Sequence, residues 1–180
     1  TARQIYDLAV GQHGLRPQDL LFDPLTFTVG SGDETLRDAA IQTLDGIRGI
    51  KRSLPGVMTV LGVSNISFGL PPKARKILNS VFLHEAIEAG LDAAIIDAGK
   101  IVPLAQISEE DRAMCLDLLY DRVKHPEKTP LMCFIDYFQG RAEDDESSAG
   151  DEADLRPEER LHTKIVKGDK DDLDDLLSIL

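Results

Sequence analysis

Three short apolar runs, each closing on polar residues and each separated from the next by an amphipathic stretch at helical spacing, leave this chain few folds to choose from. The runs are Leu20 to Phe22, which ends in Asp23-Pro24; "VMTVLGVSN", residues 57–65; and "LDAAIIDAG", residues 91–99, which ends in Asp97. Short apolar runs without polar alternation are how strands covered on both faces read. Strands that alternate with helices predict an α/β fold with a parallel sheet and right-handed crossovers. In such sheets the carboxyl ends of the strands form the ligand-binding edge, and that is where the polar residues fall.

The helical stretches carry their own punctuation. Residues 2–10 place Ala2, Ile5, Leu8 and Ala9 at helical spacing, and Gly14 follows as a left-handed terminator. A second helix has Ser31 or Asp33 as its cap, Leu36, Ala40, Leu44 and Ile47 on one face, and a stop at Leu54-Pro55-Gly56. In the third, Ile77, Leu78, Val81, Phe82 and Ile87 form the expected buried stripe, ending at Gly90. A fourth begins at Ser108 with Asp111 three residues on and buries Met114, Leu118 and Leu119. The fifth is capped by Thr129, carries Pro130 at its first position and is expected to stop at Gly140.

Beyond Gly140 the composition changes. "RAEDDESSAGDEAD" holds seven carboxylates and no apolar residue larger than Ala, so residues 141–156 read as an acidic, solvated linker. Residues 157–180 resume helical spacing, with Leu161 and Ile165, then Leu173, Leu176, Leu177 and Leu180, as the entry to a helical bundle. From 141 onward there are 14 acidic and 6 basic residues, so most of the chain's net charge of −12 belongs to the tail. That balance argues against a nucleic-acid partner, whose affinity rests on Lys and Arg. No run approaches a membrane span and no leader opens the chain, so a cytoplasmic location is expected; the start at Thr1, inside a helix, suggests a piece of something longer. Cys115 and Cys133 sit in apolar helical patterns and read as packing residues, and His13, His84, His125 and His162 are scattered, so no metal is assigned.

Asp23, Asn65 and Asp97 end consecutive strands, so a parallel arrangement brings them to one rim. Each alone is also an ordinary turn or cap residue. Their convergence, with Gly62 and Ser64 thinning the second strand, favours a ligand role for Asp23 and Asn65 and leaves Asp97 open. An ionised Asp accepts paired hydrogen bonds from an amino–ring-NH edge, whereas Asn both donates and accepts; the pair suits a neutral heterocycle better than a phosphate. There is no GxGxxG, no P-loop and no G-x-S-x-G elbow.

"LLFDPLTF", then "LGVSNISFGLP", "LNSVFLHEAIEAGLDAAIID" and a helical pair resemble the pterin-binding barrel of the methyltetrahydrofolate-dependent corrinoid methyltransferases, and within that group the cobalamin-dependent methionine synthases. The resemblance covers residues 1–140 and implies strands six to eight of a (β/α)8 TIM barrel. The tail "ERLHTKIVKGDKDDLDDLL" is similar to the start of the helical cap before a cobalamin domain. By resemblance, Asp23 holds the pterin's amino and ring NH groups, Asn65 is the catalytic side chain near N5, and Arg75 contacts the folate. A second arginine is missing from "GLPPKA", with Lys73 the cation in its place. The resemblance implies 5-methyltetrahydrofolate as substrate and methyl transfer to reduced cobalamin on a domain of the same protein, within methionine synthesis. Cobalamin and zinc would be bound outside this chain. The alternatives are a stand-alone corrinoid methyltransferase, a dihydropteroate-synthase-like enzyme, disfavoured because Ser64-Asn65-Ile66 lacks the expected Lys, and a noncatalytic folate-binding or interaction module.

Overall fold

In a computed structural model that describes residues 1–146, the three apolar runs become β1 (Leu21–Phe22), β2 (Met58–Gly62) and β3 (Ala93–Ile95). They form a parallel sheet in the order β1-β2-β3, with Leu21 opposite Met58 and Gly62 opposite Ile95. Helix α1 (Ala2–Tyr6) precedes the sheet, α2 (Ala39–Ser53) connects β1 to β2, and α3 (Pro72–Ala89) connects β2 to β3; α4 (Glu109–Leu119) and α5 (Pro130–Glu146) follow. Residues 1–138 form one compact unit, and a second begins at Gln139.

One core holds this first unit together. Leu44 and Ile47 of α2, Leu61 of β2, Leu78, Val81 and Phe82 of α3, Leu119 of α4 and Phe134 of α5 are fully buried in it. Side chains alternate along a strand, and paired residues of parallel strands share a face. Thr59 and Leu61 therefore point into the helical layer, while Leu21, Met58 and Ile95 point away and are 55%, 40% and 67% exposed. The expectation of strands covered on both faces is corrected here: among the described residues, only one face of the sheet is covered.

The caps follow the sequence with instructive exceptions. Gly90 ends α3 at φ 105°, and Ser108 accepts the Asp111 N–H at the start of α4. Asp33, not Ser31, caps the second helical stretch by accepting the Thr35 N–H, and a 3-10 turn at Glu34–Leu36 precedes α2. Ile87 is 54% exposed, and Ala86 and Ala89 take its place in the buried stripe. Beyond α1 the backbone is π-helical from Asp7 to Gln12 before Gly14 turns at φ 68°.

Helix α5 runs through Gly140 to Glu146 rather than stopping there. A helix-interior Gly costs only about 1 kcal/mol, and the Arg, Ala and Glu that follow it are good helix formers. The first six residues of the expected linker, 141–146, thus belong to α5. The rest of it, 147–156, and the expected bundle entry at 157–180 lie outside the described residues. Of the two cysteines, both free, Cys115 is buried among apolar neighbours, and burial followed by the nearby Asp111 pushes its thiol far above the usual range. No described helix is long and apolar enough to cross a membrane, and no described group of His, Cys, Asp and Glu could hold a metal ion.

The amino ends of the strands are tied by one carboxylate. Asp92 pairs with Lys51 Nζ at 2.8 Å, accepts the Thr59 N–H at 2.8 Å and approaches the Thr59 hydroxyl at 3.1 Å, while Lys51 also reaches the Val57 carbonyl. Desolvation is the largest influence on its pKa and raises it, but the Lys51 and Thr59 hydrogen bonds together outweigh it and leave the group below its ordinary value of 3.8. A carboxyl lowered on folding stabilises the native state fully above its unfolded pKa, and that contribution is lost as pH falls from there through the folded value. Asp92→Asn should therefore cost about 1 kcal/mol at pH 7, on the scale of a partly exposed ion pair. In thermal melts the gap between wild type and variant should close below pH 3.8.

Candidate functional site

The polar rim is built by turns rather than by the strands themselves. Past Gly62 the chain enters a 3-10 segment, Val63–Ser67, with Val63 and Ile66 anchored in the core. These anchors leave Ser64 and Asn65 exposed on the outer side of the turn. The Asn65 side-chain amide has no hydrogen-bond partner among the described residues. It lies over the Gly62 backbone, where a Cβ would stand only 3.0 Å from its Nδ2. The glycine thus makes room for the Asn65 amide itself.

Asp23 follows β1 directly and uses one carboxylate oxygen to accept the Leu25 N–H at 2.9 Å, an Asx turn that carries Leu25 into φ 65°. Its other oxygen has no described partner, and the residue is exposed. The loop beyond is fastened to the Asn65 turn. Thr28 donates its hydroxyl to the Phe68 carbonyl at 2.7 Å and accepts the Gly30 N–H at 2.9 Å; the Val29 N–H donates to the Ile66 carbonyl at 3.0 Å. Asp23 and Asn65 therefore stand on adjacent, cross-linked rim segments, and among the described residues their side chains make no hydrogen bond to each other.

Arg75, near the start of α3, donates from Nε to Ser67 Oγ at 3.1 Å and from Nη2 to the Ser64 carbonyl at 3.3 Å. It brackets Asn65 from both sides and fixes the turn. Asp97 behaves as a strand-end cap: it accepts the Gly99 N–H and pairs with Lys100 at 3.0 Å, and that Lys100 hydrogen bond is the main reason its pKa is lowered. Between these segments and α3 opens a cavity of about 410 Å³ whose wall includes Ser64, Arg75, Lys76, Asn79, Asp97 and Lys100.

The sequence singles out Asp23 and Asn65, and the resemblance adds Arg75; the structure places all three on or against the two joined rim segments, beside Thr28, Gly30, Lys76, Asn79 and Lys100, which the sequence did not single out. "TVG" at 28–30 carried a faint signal, a hydroxyl two residues before a Gly at a turn. Lys76 and Asn79 sit in a helix whose apolar stripe drew attention to its other face.

Residues 2–97 match the model of a family described as pterin binding enzyme. The chain is 44% identical over 175 residues to methionine synthase of Mycobacterium tuberculosis (strain ATCC 25618 / H37Rv), covering 96% of this chain and 15% of that protein. To methionine synthase of Mycobacterium leprae (strain TN) it is 45% identical over 163 residues, covering 89% of this chain and 13% of the relative. The chain therefore spans 15% or less of the length of these curated relatives. With more than half of its residues matched by the family model, the chain belongs to the pterin-binding enzyme family.

Proposed function

We propose that this chain is the pterin-binding part of a methyltransferase that takes the N5 methyl group of 5-methyltetrahydrofolate and passes it to reduced cobalamin during methionine synthesis. On this reading its strands are the last three of a (β/α)8 barrel. The observation that carries it is the unpartnered Asn65 amide, held over Gly62 at the strand end, one cross-linked segment from the half-free Asp23 carboxylate. A donor–acceptor amide beside an acceptor carboxylate is what a pterin edge requires. The likeness to the two methionine synthases favours this reading over a dihydropteroate-synthase-like enzyme.

The division of labour follows from side-chain chemistry. Asp23 accepts from the pterin's amino and ring NH groups and sets its orientation. Asn65 follows N5 through its change of protonation, accepting from the N5 proton when it is present and donating when it is not. Arg75 keeps the Asn65 turn rigid and reaches the folate with its remaining N–H groups. Bound elsewhere in the protein, reduced cobalamin supplies the nucleophile.

Titration of 5-methyltetrahydrofolate into the protein, expressed within its complete reading frame, tests binding; adding reduced cobalamin tests transfer. No binding removes every folate reading, and binding without transfer leaves a noncatalytic module. Asp23→Ala should raise the Kd about tenfold or more, the scale of a charged hydrogen-bond pair, with a much smaller change in the transfer rate at saturation.

A further inference from the structure

The turn that carries Asp23 is held in a strained form. Leu25 sits at φ 65° and is 59% exposed, although a bulky side chain is out of place in the left-handed region. Such a conformation persists only where its surroundings over-determine it, and it gathers at ligand sites. Two hydrogen bonds flank it. The Leu25 N–H donates to Asp23 Oδ1 at 2.9 Å, and the Leu25 carbonyl accepts from Thr43 Oγ1 at 3.0 Å. The first is internal to the turn, so the second is what ties Leu25 to the rest of the fold. Thr43 is 4% exposed and lies in α2, where its hydroxyl is also 2.9 Å from the Ala39 carbonyl. A helical Thr ordinarily bonds back to the carbonyl one turn earlier; here the single hydroxyl hydrogen is shared with the Asp23 turn. Gly46 follows at the spacing of side chains on one helix face, and a Cβ there would stand 3.3 Å from Pro24 Cβ. Thr43 and Gly46 of α2 thus form one seat for Asp23, Pro24 and Leu25.

We infer that Thr43 is a positioning residue for the pterin: through the Leu25 carbonyl it keeps the Asp23 turn in its strained form, with one carboxylate oxygen occupied and the other free for the ligand. The inference rests on the folate reading above and adds to it what aims the carboxylate. Asp23 is exposed, and the Leu25 N–H is its one described partner. Without the Thr43 bond the Leu25 peptide is free to relax to negative φ, which swings its N–H away from Oδ1. The Asp23 side chain then regains its other staggered rotamers, and the pterin must order it on binding. That loss falls on affinity. Asn65, on the other rim segment, makes no bond to Thr43, so the chemical step is spared.

The test is a mutant cycle in the protein expressed within its complete reading frame, read by titration of 5-methyltetrahydrofolate. Thr43→Val keeps the shape and deletes the hydroxyl, and it should raise the Kd about fivefold, the worth of one neutral hydrogen bond, with the transfer rate at saturation within about twofold of wild type. Thr43→Ser keeps the hydroxyl and should bind within about twofold of wild type. A residue that acts only through Asp23 has nothing left to act on once Asp23 is gone: in the Asp23→Ala background, Thr43→Val should change the Kd by less than about twofold. Gly46→Ala presses on Pro24 from the same seat and should likewise raise the Kd in wild type but not in the Asp23→Ala background, so the inference stays testable if Thr43→Val does not fold by circular dichroism. A Thr43→Val Kd within about twofold of wild type, or a rise just as large in the Asp23→Ala background, overturns the positioning role while leaving the folate reading intact. Failure of wild type to bind 5-methyltetrahydrofolate overturns the folate reading itself, and the positioning role with it.

Discussion

Replacing Asn65 with Ala is expected to slow methyl transfer at saturating folate about a hundredfold while raising the folate Kd less than about fivefold. The asymmetry comes from the chemistry of N5. A tertiary amine is a poor leaving group, so the nitrogen must gain a proton or a strong hydrogen bond before or during displacement. A group that engages the nitrogen more strongly then than in the ground state lowers the barrier rather than the Kd. Losing one such preorganised group typically costs about 10²–10³ in rate. The substitution is a clean one, because the side chain is exposed, unpartnered and lies over Gly62 rather than inside the core, so stability should stay within about 0.5 kcal/mol. Asn65→Asp should fall between wild type and Ala: a carboxylate still accepts from a protonated N5 but cannot donate to the neutral one. Single-turnover transfer and equilibrium titration separate the two quantities. Equal losses in rate and affinity would make Asn65 a binding group only.

The succession of strands and helices along the chain and most of the caps were legible in the sequence because they depend on local signals: apolar runs, Ser108 and Gly90, and the Thr129-Pro130 helix start. Asp23 and Asn65 were legible for a similar reason, since polar residues that end consecutive parallel strands must gather on one side of the sheet. What stayed hidden depends on distant partners. The apolar runs could not say that only one sheet face is covered, because periodicity reports which residues avoid water, not what lies beside them. Gly62 drew notice as a thin place in a strand, but its use, to leave room for the amide three residues on, depends on the 3-10 turn that follows. Ile87 failed for a packing reason, where the sequence stripe and the actual contact face of α3 part company near its end. Thr28 was invisible because its partners, the Ile66 and Phe68 carbonyls, are about forty residues away in a different loop.

That last junction supports the other large effect: Gly30→Ala should lower stability by about 3 kcal/mol and weaken folate binding from a distance. A Cβ at this position would stand 2.7 Å from Leu70 Cγ and 2.8 Å from the Phe68 carbonyl oxygen, against an optimum of about 3.5–4.0 Å between carbons. Neither neighbour can yield cheaply, since one is the branch point of a buried side chain and the other is backbone. Overpacking of this kind costs about 1–3 kcal/mol, and the upper end is expected where backbone must move. For a protein of this size each kcal/mol lowers Tm by about 2–4 °C, so a fall of about 6–12 °C should appear in thermal melts. Relief of the clash pushes the Gly30 strand of the loop away from Phe68, pulling on the Thr28 hydroxyl bond and the Val29–Ile66 bond that join the Asp23 loop to the Asn65 turn. Thr28→Val provides the contrast: it deletes the hydroxyl bonds without adding bulk, so it should loosen the same junction at a cost of only about 1–2 kcal/mol. If both variants raise the folate Kd while Asp92→Asn, far from the rim at the amino ends of the strands, does not, the loss follows the junction rather than global stability. A Gly30→Ala protein with an unchanged Tm would mean that the two rim loops do not approach each other this closely.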